Sequence, residues 1–74
     1  MKPTELNTQL LAAHAAGNSA ALIRLYTHAA DQSEENANID EACFFLTHAY
    51  VFALESADAG LPRLAARLKK HGRL

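Results

Sequence analysis

With 74 residues, the chain can form one domain at most, and so small a core gains stability from association with another surface. Half of the residues are apolar, but 16 of those 37 are alanines, and no stretch shows the alternation of a strand. The composition predicts an all-α fold, and one cysteine excludes an internal disulfide. Since no apolar run reaches the roughly 20 residues of a membrane span, we expect a cytoplasmic protein.

The net charge of −1 conceals a division between the two ends of the chain. Residues 1–58 carry two basic and eight acidic side chains, a balance of −6. Residues 59–74 carry five basic side chains and no acidic one, a balance of +5. Such asymmetry makes the C-terminal segment the first place to look for an anionic partner.

The first helix is predicted over residues 5–16. Thr4 is its expected N-cap, because a threonine hydroxyl can accept a hydrogen bond from the first turn. Leu6 and Leu10 follow helical spacing and belong to its buried stripe. Gly17 is expected to end this helix, since glycine takes a positive φ without a Cβ clash.

The second helix is predicted over residues 19–32, with Asn18 or Ser19 as its N-cap. The connection to the first helix is then very short, and short links between helices produce antiparallel neighbours. The segment 32–37 is polar and lacks helical periodicity, so it is the longest predicted loop, with a frayed helical end as the alternative at its start.

The third helix is predicted over residues 39–58, with Asn38 as N-cap and Glu41 reaching back in a capping box. It holds all three phenylalanines, and its apolar side chains cover two adjacent faces, too wide a surface for a helix with one neighbour. We therefore expect this helix in the middle of the fold, with elements packed on two sides. Its candidate partner-binding residues share one further face: Phe44, Thr47, His48 and Val51. Phe44 is equally compatible with a place in the core.

The fourth helix is predicted over residues 62–71, after a stop at Gly60 and with Pro62 in its first turn. The basic side chains singled out on its polar side are Arg63, Arg67 and Lys70. Three interpretations remain open. These cations can simply be solvated and stabilise the helix end, or they can attract the chain's own acids, such as Glu34, Glu35, Asp40 and Glu41. They can also meet an acidic protein, a nucleic acid or a membrane surface.

The residues that could carry chemistry show no spacing typical of a reaction centre. The four histidines, which titrate near neutral pH, fall one on each predicted helix: His14, His28, His48 and His71. Cys43 and His48 are five residues apart, so their directions on a helix differ by more than about 100°. We therefore expect no metal site, no cofactor, no small-molecule substrate and no enzymatic activity.

Two segments resemble the tetratricopeptide family. GNSAALIRLYTHAAD, residues 17–31, is similar to the second helix of a repeat, especially in the Sel-like variant. CFFLTHAY, residues 43–50, resembles the first helix of the following repeat. The matching positions are Gly17, Tyr26, Ala29, Leu46, Ala49 and Tyr50. The resemblance covers roughly residues 10–58 and departs from the family at Thr47, where a glycine is expected.

This resemblance implies two stacked helical hairpins with a ligand groove on the first-helix side and no catalysis. The expected function is a non-catalytic protein–protein interaction module, an adaptor or accessory subunit that binds a protein partner or associates with itself. The alternative is a small nucleic-acid-binding regulator that uses the basic last helix, although an acidic chain of pI near 6.4 makes nucleic acid the weaker candidate.

Overall fold

The computed structural model describes residues 2–74, which fold into four helices: α1 Pro3–Ala16, α2 Ser19–Glu35, α3 Ile39–Ser56 and α4 Leu61–Lys70. No strand occurs among residues 2–74, so the predicted all-α fold is confirmed. The connecting links are only two to four residues long. Links this short reverse the chain direction and make successive helices antiparallel.

α3 lies in the middle of the packing, as predicted. It packs against α2 along an extensive interface and against α4 on another side, whereas α1 packs on α2. The main core cluster joins α2, α3 and α4 around Leu46, which is 0% exposed. Ala49 and Ala53 are buried in the same cluster, and their small side chains let helix axes approach closely. A second cluster joins α1 to α2 around Leu22 and Leu25.

The predicted asparagine caps are confirmed. Asn18 Oδ1 accepts from the Ala21 N–H at 3.1 Å, and Asn38 Oδ1 accepts from the Glu41 N–H at 3.2 Å. The capping box at α3 is altered, because the Asn38 N–H donates to the Ser33 carbonyl and not to Glu41. The Glu41 carboxylate instead accepts from the Ser33 hydroxyl at 2.8 Å. These bonds join the end of α2 to the start of α3.

The expected cap at Thr4 is wrong. α1 begins at Pro3, and its N-cap is Lys2, which makes no side-chain capping bond. Proline suits the first helical position because its φ is already helical and its missing N–H has no partner there. Gly17 does end α1, with a φ of 64°.

The predicted loop over residues 32–37 is wrong in its first part, because α2 continues to Glu35 and only residues 36–38 link it to α3. Ser33 is 3% exposed, and its hydroxyl donates to the Ala29 carbonyl at 3.1 Å as well as to Glu41. The next residue, Glu34, binds side chains at the end of α4. Tertiary contacts of polar side chains therefore stabilise a turn that apolar periodicity could not predict.

The end of α3 comes two residues before the predicted one. The helix stops at Ser56, and Ala57 takes the left-handed conformation with a φ of 52°. Gly60 does not end α3, since its φ is −78° and it is the N-cap of α4. Its N–H donates to Asp58 Oδ2 at 2.8 Å, which forms the turn between the two helices. α4 in turn begins and ends one residue before its predicted bounds.

Candidate functional site

One face of α3 exposes large apolar side chains. We call Phe44, Thr47, His48, Val51 and Leu54 the outer face of α3. Phe44 is 59% exposed, Leu54 51% and Val51 43%, whereas the opposite side of the helix is core. The structure thus places Phe44 on the surface and not in the core. Leu54 was missed in the sequence, although it follows Val51 at the three-residue spacing of a helix face.

The two polar members of the outer face are held by short contacts. The His48 ring stacks on Tyr26 of α2, with ring centroids 5.0 Å apart, and meets Phe44 edge-on at 4.6 Å. Thr47 is exposed, and its hydroxyl donates to the Cys43 carbonyl at 2.8 Å. His48 is therefore half-buried between two aromatic rings, which fixes the orientation of the Phe44 ring beside it.

An open groove of about 490 Å³ adjoins the outer face. We call it the α3 groove, and the residues lining it are Asp40, Cys43, Phe44, Thr47, His48 and Arg73. The Cys43 thiol is buried in its wall, and no hydrogen bond joins it to His48 within residues 2–74. An exposed ring beside a concave groove gives this surface both a protrusion and a recess.

Tyr26 connects the outer face to the rest of the fold. Its hydroxyl lies 3.2 Å from His14 Nε2 on α1, and its ring stacks on Phe52 of α3 at 6.1 Å. His14 also meets Phe52 edge-on at 5.7 Å. These rings pack three helices together, and no group of three or more metal-ligating side chains occurs in the part of the chain that the structure describes.

The end of α4 is bound to the chain's own acids. Arg67 Nη2 lies 2.8 Å from Asp31 Oδ1 and 2.7 Å from Glu34 Oε1. His71 Nε2 and Glu34 Oε2 are 2.7 Å apart. The pKa of Glu34 is lowered, mainly by the hydrogen bond with His71 and further by Arg67, although partial burial acts in the opposite direction. Arg73 forms a further ion pair with Asp40.

The basic residues singled out in the sequence thus fall into two groups. Arg67, together with Arg73, is neutralised by the chain's own carboxylates. Arg63 and Lys70 are exposed, and within residues 2–74 neither takes part in an ion pair. Arg63 lines a separate groove of about 390 Å³ between α2 and α4, with Arg24 on its α2 side. The outer face of α3 and the basic side of α4 are therefore two distinct surfaces.

The fold and these surfaces define an all-α protein in which one face of α3 leaves large apolar side chains exposed. Comparisons of the chain with protein-family models, with curated proteins and with solved structures found no match. Among the helices formed by residues 2–74, none has the length and apolarity needed to cross a bilayer.

Proposed function

We propose that the chain is a non-catalytic protein–protein interaction module of helical-repeat type, an adaptor or accessory subunit, and that it binds its partner through the outer face of α3. The observation that carries the proposal is the exposure of Phe44, at 59%, on the helix that also forms the centre of the core. Contiguous apolar side chains on a protein surface are typical of interaction sites.

The energetics favour a partner at this face. Covering apolar surface contributes about 25 cal/mol per Å², and aromatic side chains held in one orientation lose little entropy on binding. Phe44 meets that condition, because it packs edge-on against both His48 and Phe45. Thr47 and the α3 groove supply polar groups beside the apolar patch, the usual arrangement of an interface.

The packing order supports the repeat type. α1 to α4 contact one another in chain order, and the link between α2 and α3 has only three residues, 36–38. In such arrays each helical hairpin contacts its neighbours, and one face stays open for a partner. The resemblance of residues 10–58 to tetratricopeptide repeats implies the same arrangement.

The ion pairs of α4 weigh against the nucleic-acid alternative. Two of the five C-terminal cations, Arg67 and Arg73, are bound to carboxylates that would have to be displaced by phosphate. Arg63 and Lys70 form no ion pair within residues 2–74 and remain able to attract an acidic partner protein toward the surface. Charges at the rim of an interface act mainly on the association rate.

A comparison of variants tests the proposed function. Tagged wild-type chain and the double variant Phe44→Ser/Val51→Ser are used to capture proteins from a lysate of the cells that produce the chain. We expect wild-type chain to capture a specific partner, either another protein or untagged copies of the chain itself. This partner should be lost from the capture by the double variant and retained in the capture by Leu11→Ser. Leu11 is 71% exposed on α1 and serves as a matched control. An identical set of captured proteins for all three chains would contradict the proposal.

A further inference from the structure

We infer that the groove between α2 and α4 is a second docking surface, which holds an acidic segment of a protein partner with one of its carboxylates between Arg24 and Arg63. We call it the α2–α4 groove, and its volume is about 390 Å³. None of the residues that line it belongs to the outer face of α3. The inference therefore goes beyond the proposed function and does not depend on it.

The groove forms because α2 and α4 both pack on α3 while their own backbones stay apart. Both helices run antiparallel to α3 and therefore parallel to each other. Arg67 on α4 bridges them through its ion pair with Asp31 on α2, which marks one end of the groove. Arg63 lies one turn before Arg67, and Arg24 lies two turns before Asp31. The two arginines therefore flank the other end, one on each wall.

The charges of the groove favour an anion at that end. The two arginines are exposed, and within residues 2–74 neither takes part in an ion pair. Asp31, the one carboxylate among the described residues that line the groove, is held by Arg67 at 2.8 Å. Asp58, in the turn before α4, accepts from the Gly60 N–H at 2.8 Å. The groove thus presents two guanidiniums that lack an acidic partner in this chain, and a guanidinium can bind a carboxylate through two parallel hydrogen bonds.

The floor and the far end of the groove favour a protein segment as the source of that carboxylate. Ile23 and Leu64 form an apolar floor, one from each helix, and both belong to the main core cluster. An extended polypeptide can lay an apolar side chain on such a floor and point an acidic one at the wall, because its side chains alternate. A nucleic acid would instead bring further phosphates toward Asp31 and Glu34, whose carboxylates would repel them.

An NMR titration of the isotope-labelled chain with the blocked peptide acetyl-Leu-Glu-Leu-Glu-Leu-amide tests the inference. We expect the backbone amide signals of Arg24, Gly60 and Arg63 to shift as the peptide is added, while the signal of Phe44 stays in place. An increase in salt should weaken the binding, since exposed charges are screened. Shifts centred on Phe44, or no shift up to about 2 mM peptide, would overturn the inference.

Two double variants with the same change in net charge separate a site from general attraction. Arg24→Gln/Arg63→Gln should weaken the binding of the peptide at least about tenfold, because it removes both guanidiniums. Lys2→Gln/Lys69→Gln removes two exposed lysines that lie outside the groove and should change the affinity less than about twofold. Equal weakening by the two double variants would overturn the inference.

Sodium phosphate and single-stranded oligothymidine, each titrated in place of the peptide, distinguish the source of the anion. We expect both to bind the groove more weakly than the peptide does. If either binds it as tightly or more tightly, the ligand is not a protein segment and the inference is overturned. Phe44→Ser/Val51→Ser should bind the peptide as the wild-type chain does. Failure of the peptide titration would therefore leave the capture experiment on the outer face of α3 unaffected.

Discussion

Arg67 and Glu34 join two helices that are not consecutive in the chain. The guanidinium Nη2 of Arg67 on α4 lies 2.7 Å from Glu34 Oε1 near the end of α2. The same carboxylate holds His71, so one acidic side chain fixes the C-terminal end of the fold. Since both Arg67 and Glu34 are partly buried, this bond is stronger than an exposed surface pair.

The replacement Glu34→Gln should therefore destabilise the fold in a pH-dependent way. The pKa of Glu34 is lowered in the folded chain, so its contribution is fully present above the ordinary carboxyl pKa of about 4.3. That contribution is lost as the pH falls through the lower pKa of the folded state. We expect urea unfolding to show a loss of about 0.5–1 kcal/mol at pH 7, a value reduced by solvent screening, and a much smaller one near pH 3.

The exposed neighbour provides the control for this experiment. Glu35→Gln removes the same charge one residue further along α2, where no ion pair is formed among residues 2–74. Its effect should stay within about 0.5 kcal/mol at both pH values. If Glu34→Gln lowered the unfolding free energy equally at pH 7 and at pH 3, the claim that the ionised Glu34 carboxylate stabilises the fold would be contradicted.

Ala57→Gly should stabilise the chain. Ala57 has a φ of 52°, a conformation that costs a residue with a Cβ about 1 kcal/mol relative to glycine. Part of the gain is offset by the greater freedom of glycine in the unfolded chain. Thermal unfolding should therefore show a net gain of about 0.5 kcal/mol. The control Ala59→Gly, at a residue without positive φ, should give no gain in stability. A loss of stability for Ala57→Gly would show that the backbone of Ala57 is unstrained.

Truncating a side chain should cost much more stability on the buried side of α3 than on its exposed side. Leu46→Ala removes a side chain with no exposed surface and should cost about 2–5 kcal/mol of unfolding free energy. Phe44→Ala should change the stability of the isolated chain by less than about 1 kcal/mol, because most of its ring is already in water. Denaturant unfolding of both variants at low protein concentration measures the two effects. A large loss for Phe44→Ala would mean that its ring belongs to the core.

Tyr26 should contribute through its ring more than through its hydroxyl. Tyr26→Phe loses only the exposed bond to His14, worth about 0.5–1 kcal/mol. Tyr26→Ala removes the ring that both core clusters contact and should cost about 2–4 kcal/mol. Urea unfolding of the two variants gives the comparison. Similar losses would show that the His14 bond dominates.

The sequence predicts those features of the fold that have local causes. Asn38 acts as a cap and Gly17 as a helix terminator through their own chemistry, which the sequence alone predicts. The last turn of α2 could not be predicted, because Ser33 and Glu34 are held by residues of α3 and α4. Ala57 gave no signal either, since an alanine favours the helix that ends there.

The candidate site, too, could be predicted from the sequence only in part. The apolar pattern indicated that α3 has more apolar faces than one neighbour can cover, but not which face stays open. Phe44 and Phe45 are adjacent in sequence, and only the packing of α2 and α4 makes the first exposed and the second half-buried. The α3 groove depends on Arg73, which is 33 residues away from its partner Asp40.

Photo-cross-linking in the producing cells tests the central claim most directly. Benzoylphenylalanine is placed at position 44 on the outer face of α3, or at the exposed Ala12 on α1, and the cells are irradiated. We predict a protein adduct of defined mass from position 44, with a second copy of the chain giving twice 8.0 kDa, and none of that mass from position 12. The absence of any adduct specific to position 44 would contradict the claim that this face binds a protein.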